Sequence, residues 1–324
     1  MSESIATPGL VTIGVPCYNS AKWIRETIES ALAQDWPNKE IIVVDDGSTD
    51  GSREILASFG SAIRLYLTDH GGAPRARNRV LQEARGTWIQ YLDADDGLEP
   101  SKISRQFTES SGGAKADIIC SPVWNEIWRQ GRVRELYQSD LDPKSDPPTE
   151  WIRWELPQTG GAIWRKTALE AVGGWKNDQP CCQEHELYLR AIKASLRFAF
   201  TTTPGAIYRL WSEETLCRRD PRLVIRVKTG LIDQLRAWME ERGTWTSKHQ
   251  RLAGRACFEM SRTVAHFDLA EAAAYAKERR SLGLFCVEGP TAPASYRTAF
   301  QILGFLNAER LARAVRHRKA ASTS

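Results

Sequence analysis

Four short apolar runs punctuate residues 1–92, each separated from the next by a stretch with helical spacing. The runs are Leu10 to Val15, Glu40 to Val44, Ile63 to Leu67 and Trp88 to Leu92. Their β-branched content and length predict buried strands. Between them, residues 20–33 place Trp23, Ile24, Ile28 and Leu32 on one helical face. Residues 49–59 and 73–85 read as two further helices, the first with Ser48 or Asp50 as its N-cap. Strands alternating with helices predict a parallel sheet covered on both faces.

Polar clusters follow three of these strands at once. They are Pro16-Cys17-Tyr18-Asn19, Asp45-Asp46-Gly47-Ser48 and Asp93-Ala94-Asp95-Asp96. A doubly wound sheet binds ligands beyond the carboxyl ends of its strands, so the coincidence says more than any one cluster. Asp93 and Asp95 are two residues apart, and in extended backbone their side chains point the same way. Two hard carboxylates at a strand end suit Mg²⁺ or Mn²⁺, which also hold substrate phosphates. A solvated acidic turn is the bland alternative. Asp45 or Asp46 can accept hydrogen bonds from a ribose or a base, or simply make a turn and cap a helix. Gly71 to Asn78 opens the third helix; Arg77 within it suits a diphosphate, or else faces outward as an ordinary helical arginine.

After residue 117 the texture changes. Residues 117–120 read as a strand and 123–137 as a hairpin turning at Gln130-Gly131. Residues 142–148, with three prolines, read as an exposed loop. Residues 160–165 look extended, 166–172 helical, and 184–195 helical. From Pro221 onward the pattern is helical throughout, which sets the expected domains at 1–220 and 221–324.

Charge supports that division. Residues 221–324 carry 18 basic and 9 acidic side chains, against 26 and 31 in the rest. A basic appendage behind an acidic body points to contact with an anionic surface. No apolar run reaches 18 residues, and the first nine residues lack a basic stretch followed by an apolar one. Neither a spanning helix nor a secretory signal is expected. Seven cysteines without a CxxC pair suggest neither a disulfide framework nor structural zinc, and the cytoplasm is the expected compartment.

The strand-end motifs, in their order and spacing, resemble family 2 glycosyltransferases. The residues that carry the likeness are Val15 to Asn19, Ile42 to Asp50, Gly71 to Asn78 and Tyr91 to Asp96. It covers about residues 10–215. The resemblance implies an α/β, GT-A nucleotide-diphospho-sugar transferase fold (a Rossmann-like mixed sheet flanked by helices), here with a helical C-terminal appendage. It implies an inverting, metal-dependent enzyme that takes a sugar from a nucleotide-diphospho-sugar, with UDP the expected nucleotide. The acceptor would be a hydroxyl of a saccharide or lipid-linked saccharide, as in bacterial surface polysaccharide synthesis. By the same likeness, Pro16, Tyr18, Asn19, Asp45, Asp46, Arg77 and Ala94 belong to the donor pocket. Asp93 touches donor ribose or phosphate and helps Asp95, the metal ligand.

The family's next landmark is an acidic pair opening a helix. Aligned through Leu187-Tyr188-Leu189-Arg190, Glu184 falls where the catalytic Asp stands, and Gln183 replaces its acidic neighbour. Glu184 is therefore the expected base, Glu186 the alternative, and His185 is expected to be structural. A metal-ligating His often follows a Tyr-Arg near the end of such domains; Tyr208-Arg209-Leu210-Trp211 offers Trp instead. The competing reading of the whole chain is a catalytically inactive nucleotide-sugar-binding module, for which loss of the metal Asp or the base would be expected.

Among twelve tryptophans, Trp164 and Trp211 are the two expected to face the acceptor, with most others in the core. Gly160-Gly161 would allow close approach of the donor sugar, or simply turn the chain. Residues 295–319 mix Phe300, Leu303, Leu306 and Leu311 with six arginines and lysines. Such a basic amphipathic helix suits peripheral contact with an anionic membrane, or packing on its own domain or a second subunit as a homo-oligomer. Nucleic acid is not an expected partner, because the acidic strand ends would repel it.

Overall fold

The computed structural model describes residues 9–211 and 220–321, with side chains to 315. Contacts divide the chain into two compact units, residues 1–214 and 215–324, which are described separately.

In the first unit the four predicted strands are β1 (Val11–Cys17), β2 (Lys39–Asp46), β3 (Arg64–Thr68) and β4 (Trp88–Tyr91). Helices α1 (Ile24–Leu32), α2 (Ser52–Ala57) and α3 (Ala73–Glu83) connect them. All four strands run parallel, with β1 between β2 and β4. Every residue of β1 and β4 is buried, which is why these runs are apolar without alternation. Ile13, Val15, Ile28 and Leu56 fill the core between strands and helices with no exposed surface.

The sheet is mixed beyond β4. β9 (Ala162–Arg165) pairs antiparallel with β4 and with β6 (Ile118–Cys120), and β10 (Phe198–Phe200) adds a parallel edge. The seven strands lie in the order β10-β6-β9-β4-β1-β2-β3. A purely parallel sheet, as the strand–helix alternation suggested, therefore ends at β4. The long excursion between β6 and β9 lets the chain return in the opposite direction.

That excursion and the end of the unit build a second sheet. It comprises β5 (Gly97–Leu98), β11 (Ala206–Leu210), β7 (Val123–Arg129) and β8 (Arg132–Gln138) in that order. The hairpin turn lies where expected, with Gln130 and Gly131 both at positive φ. α4 (Lys102–Glu109), α6 (Lys166–Ala171) and α7 (Gln183–Lys193) complete the unit with α5 (Pro147–Arg153). The expected loop 142–148 ends inside α5: Asp146 caps it by accepting the Thr149 N–H at 2.9 Å, and two prolines open its first turn. At α2 the capping position is Gly51, with Asp50 accepting the Ser52 N–H just outside it.

The second unit has four helices among its described residues: α8 (Pro221–Glu241), α9 (Ser247–Ala265), α10 (Leu269–Ser281) and α11 (Ala294–Ala321). Asp220, Thr246 and Asp268 cap the first three. The continuous helix expected over 295–319 is broken at Gly304, whose φ is 73°. Ile302, Leu303, Leu311 and Val315 are exposed, whereas Phe305 and Ala308 are buried. Among the described residues no helix is long and apolar enough to cross a membrane.

Candidate active site

The parallel register places the polar clusters side by side. Cys17 stands opposite Asp45, and β4 delivers Asp93 to Asp96 on the other side of β1. Pro16 is buried within β1. Burial and the charge of Asp45 push the Cys17 thiol up to about 11, so it packs as a neutral group and is no nucleophile.

Asp45 is fully buried. Its Oδ2 accepts from Arg53 Nε at 2.7 Å and from the Ser48 N–H at 3.2 Å, while its Oδ1 has no hydrogen-bond partner among the described residues. An orphaned buried carboxylate oxygen is costly unless a ligand donor fills it. Asp46 behaves differently. Its two oxygens accept the N–H groups of Gly71 and Gly72 at 2.9 and 2.7 Å, so it holds the loop that opens α3. Asn19 is likewise engaged, its side-chain oxygen accepting the Thr49 N–H at 2.8 Å. The adjacent acidic residues thus divide: one carboxylate has an oxygen to offer and the other is spent on structure.

Arg77 lies inside the protein, with its side chain only 5% exposed. It donates to Asp93 Oδ1 at 2.6 Å and to Gln183 Oε1 at 2.9 Å, over the ring of Trp175. Glu184 Oε1 is 3.8 Å from the same guanidinium nitrogen that binds Asp93, and it accepts from Thr159 Oγ1 at 2.7 Å. Burial works against the charge on Arg77, but Asp93 and Glu184 outweigh it and hold its pKa above the usual value. The expected diphosphate-facing arginine therefore has its terminal nitrogens turned to protein acceptors. Its effect is to bring the end of β4, the Thr159–Gly161 turn and the start of α7 to one point.

Within α7, Glu184 opens the first turn and is partly exposed. Glu186 is buried and pairs with Arg190 through both oxygens, the closest contact at 2.7 Å. His185 packs against Trp154, ring centroids 3.8 Å apart and planes inclined by 40°. Of the three titratable side chains in this stretch, only Glu184 reaches the Asp93 network.

The Asp93–Asp96 turn is pinned from two directions. Thr27 Oγ1 donates to the carbonyls of buried Ala94 and of Asp96, at 3.0 and 2.7 Å. From β11, the Arg209 N–H donates to Asp96 Oδ1 at 2.9 Å, and Trp211 Nε1 donates to Asp95 Oδ2 at 2.8 Å. Burial, opposed by the Trp211 hydrogen bond but reinforced by Asp93, raises the Asp95 pKa. Burial and the charges of Asp95 and Asp93 push Asp96 well up. A folded-state pKa above the unfolded one means that the ionised carboxylate costs stability at neutral pH. The cost vanishes as pH falls below the ordinary value near 3.8. Asp96→Asn keeps the acceptor for Arg209, so its melting temperature should exceed the parent's at pH 7 and converge on it near pH 4. About 2–4 °C is expected per kcal/mol relieved. Equal melting temperatures at pH 7 would remove this account.

Among the described residues no group of three or more His, Cys, Asp or Glu side chains is arranged to hold a metal. Asp93 and Asp95 nonetheless fit a hard divalent cation in part. Each has one oxygen taken by a side chain, Arg77 or Trp211, and one that no other side chain engages among the described residues. A cation there would also relieve the crowding of carboxylate charge that raises Asp95 and Asp96.

Trp211, one of the two tryptophans expected to face an acceptor, is exposed beside this turn, with Lys22 Nζ 4.7 Å from its ring. Trp164 is 3% exposed and stacked on Tyr188, so it is a core residue. Its place on β9, between β4 and β6, buries it on both sides. At Gly161 a Cβ would sit 2.4 Å from Pro157 Cβ and 2.7 Å from Val123, so glycine there is required by packing.

Residues 12–167 match the model of the family described as "Glycosyl transferase family 2". The front unit belongs to this family. An uncharacterised glycosyltransferase of Rickettsia prowazekii is 42% identical over 119 residues, 37% of this chain and 37% of its own length. The putative teichuronic acid biosynthesis glycosyltransferase TuaG of Bacillus subtilis is 39% identical over 101 residues, 30% of this chain and 40% of its own. The succinoglycan biosynthesis protein ExoO of Rhizobium meliloti is 41% identical over 110 residues, 33% and 31% of the two chains. The match thus spans well under half the length of each of these curated relatives. In fold it is similar to S. aureus TarS 1–349, solved in complex with UDP-GlcNAc, at a TM-score of 0.59 and 18% identity. That match covers 94% of this chain and 92% of TarS 1–349. A mannosyltransferase of Pyrobaculum calidifontis, solved with GDP-Man and Mn²⁺, matches at 0.51 and 17% identity over 95% and 88% of the two chains. The family 2 unit has the GT-A type of mixed sheet flanked by helices, and a helical region follows it.

Proposed function

We propose that this protein is an inverting glycosyltransferase that moves a sugar from a nucleotide-diphospho-sugar, UDP-linked, to a saccharide or lipid-linked saccharide hydroxyl. The observation that carries the reading is the convergence of Asp93 and Glu184 on one nitrogen of Arg77. It sets a candidate base beside the carboxylates expected to hold the donor. The orphaned Asp45 Oδ1 supplies an acceptor for the nucleoside end. Surface polysaccharide synthesis is the favoured setting, in keeping with the names of TuaG and ExoO.

In this mechanism Glu184 takes the proton from the acceptor hydroxyl. That oxygen attacks the anomeric carbon opposite the nucleotide and inverts its configuration. Thr159 and Arg77 hold the Glu184 carboxylate in place. Asp95 and Asp93 would hold Mg²⁺ or Mn²⁺, which when bound neutralises charge on the diphosphate leaving group. Asp95→Asn should lower transfer at least 100-fold and abolish the dependence of UDP binding on Mn²⁺, both read in one titration series. A thermal-shift screen of UDP-, GDP- and dTDP-sugars with either metal tests the donor. No stabilisation by any of them would remove the nucleotide-sugar reading.

A cytoplasmic enzyme lying at the inner face of the membrane suits a lipid-linked acceptor. Exposed Ile302, Leu303, Leu311 and Val315 stand among Arg297, Arg310 and Arg313. Ile302→Ser/Leu303→Ser should co-sediment with anionic liposomes several-fold less than the parent. Equal, negligible sedimentation of both would sink the membrane contact.

A further inference from the structure

Two exposed aromatic rings stack at the strand ends of the first unit. Tyr18, just after β1, and His70, just after β3, have centroids 4.1 Å apart and planes inclined by 24°. Tyr18 is 45% exposed and the His70 side chain 55%. Holding two rings together in water costs rotamer entropy, so something must fix at least one of them.

The fixed ring is His70. Its Nδ1 lies 3.0 Å from the Asp46 carbonyl oxygen and 2.9 Å from Asp46 Oδ2. The next two residues, Gly71 and Gly72, donate their N–H groups to the same carboxylate. The opposing turn is shaped to admit this loop. Gly47 has φ 79°, and a Cβ on it would stand 2.8 Å from the backbone nitrogen of His70. His70 is thus secured to the end of β2. Among the described residues Tyr18 has no comparable restraint; one of its faces rests on His70 and much of the rest is open.

The neighbouring residue on β2 is Asp45, with its buried, unpartnered Oδ1. An open aromatic face just after β1 and a lone buried acceptor at the end of the adjacent β2 match a nucleoside, which offers a π-face together with an N–H or hydroxyl. We propose that His70 is a positioning residue for nucleotide binding: it backs the Tyr18 ring so that the free face of Tyr18 stacks on the base of a nucleoside diphosphate. This rests on the donor pocket proposed above and adds a residue and a role to it. It also gives the Asp46 loop a consequence beyond opening α3.

The test separates the two contacts that His70 makes. His70→Phe keeps a ring against Tyr18 and loses the bond to Asp46. His70→Asn keeps a polar group for Asp46 and loses the ring. UDP binding to the full chain is measured by calorimetry for the parent, both variants and His70→Ala, with melting curves to check folding. His70→Phe, which keeps the ring without its anchor, should bind UDP more weakly than the parent but more tightly than His70→Asn and His70→Ala, which should bind roughly five- to tenfold more weakly than the parent. In transfer assays the loss should appear in KM for the donor and leave kcat within about twofold. Tyr18→Ala should lose as much as His70→Ala, and the double variant no more than either. The reverse order, with Asn like the parent and Phe weak, would assign His70 to the Asp46 loop alone and overturn the proposal. Equal binding by all variants would overturn it too. A parent protein that binds neither UDP, GDP nor dTDP at millimolar concentration would instead defeat the underlying nucleotide pocket.

Discussion

Glu184→Gln should leave the protein folded and able to bind donor, and should lower transfer by about 10²- to 10⁴-fold. The substitution keeps the side chain's size and an oxygen to accept from Thr159 Oγ1. It removes only the basicity and the negative charge. The Glu184 carboxylate lies 3.8 Å from Arg77, a contact longer than the 2.6 Å bond to Asp93, so Arg77 keeps its main partner in the variant. Stability should therefore change little. A loss confined to kcat, with donor affinity retained, identifies a group that acts in the chemical step. Glu186→Gln makes the contrast. That carboxylate is tied to Arg190 within α7, and its loss should cost stability more than turnover. If Glu184→Gln turned over like the parent, Glu184 could not be the base, and the proposed mechanism would go with it.

Much of this site is legible in the sequence because strand ends announce themselves. In a strand–helix alternation, an apolar run followed at once by Asp-Asp or Asp-Ala-Asp-Asp marks where a buried strand leaves the sheet, and β2 and β4 end as those patterns require. What the pattern does not encode is which way a side chain faces once its neighbours arrive. Asp45 and Asp46 differ by one position, yet one leaves an oxygen unpaired and the other closes a loop. That loop comes from the far side of β3, and only the fold brings it near. Thr159 escapes a sequence reading for the same reason. Nothing local marks a threonine before two glycines as the group that holds Glu184 across 25 residues. Trp164 differs: an antiparallel strand inserted between β4 and β6 buries both faces, and periodicity over four residues cannot reveal that. Trp211 is a middle case. It is exposed, and its hydrogen bond to Asp95 depends on β11 joining β5 and β7 in a second sheet.

Arg77→Met should be the most damaging single change in the first unit. The guanidinium is buried, and it is the only cation whose hydrogen bonds reach Asp93 and Gln183 together among the described residues. Methionine fills similar volume and can still lie on Trp175, so packing loss is small. What remains is Asp93 and Glu184 facing one another with no intervening positive charge. Removing one partner of a buried pair typically costs about 3–5 kcal/mol, which in a domain of this size lowers the melting temperature by roughly 6–20 °C. Arg77→Lys retains a charge but lacks the fork that spans Asp93 and Gln183, and should fall between the two. Transfer should drop more steeply than stability alone accounts for, because Glu184 loses its fixed position at the start of α7. Adding Asp93→Asn to Arg77→Met should recover a good part of the melting temperature and none of the activity. An Arg77→Met protein that melted with the parent at pH 7 would show that this guanidinium does not organise the site.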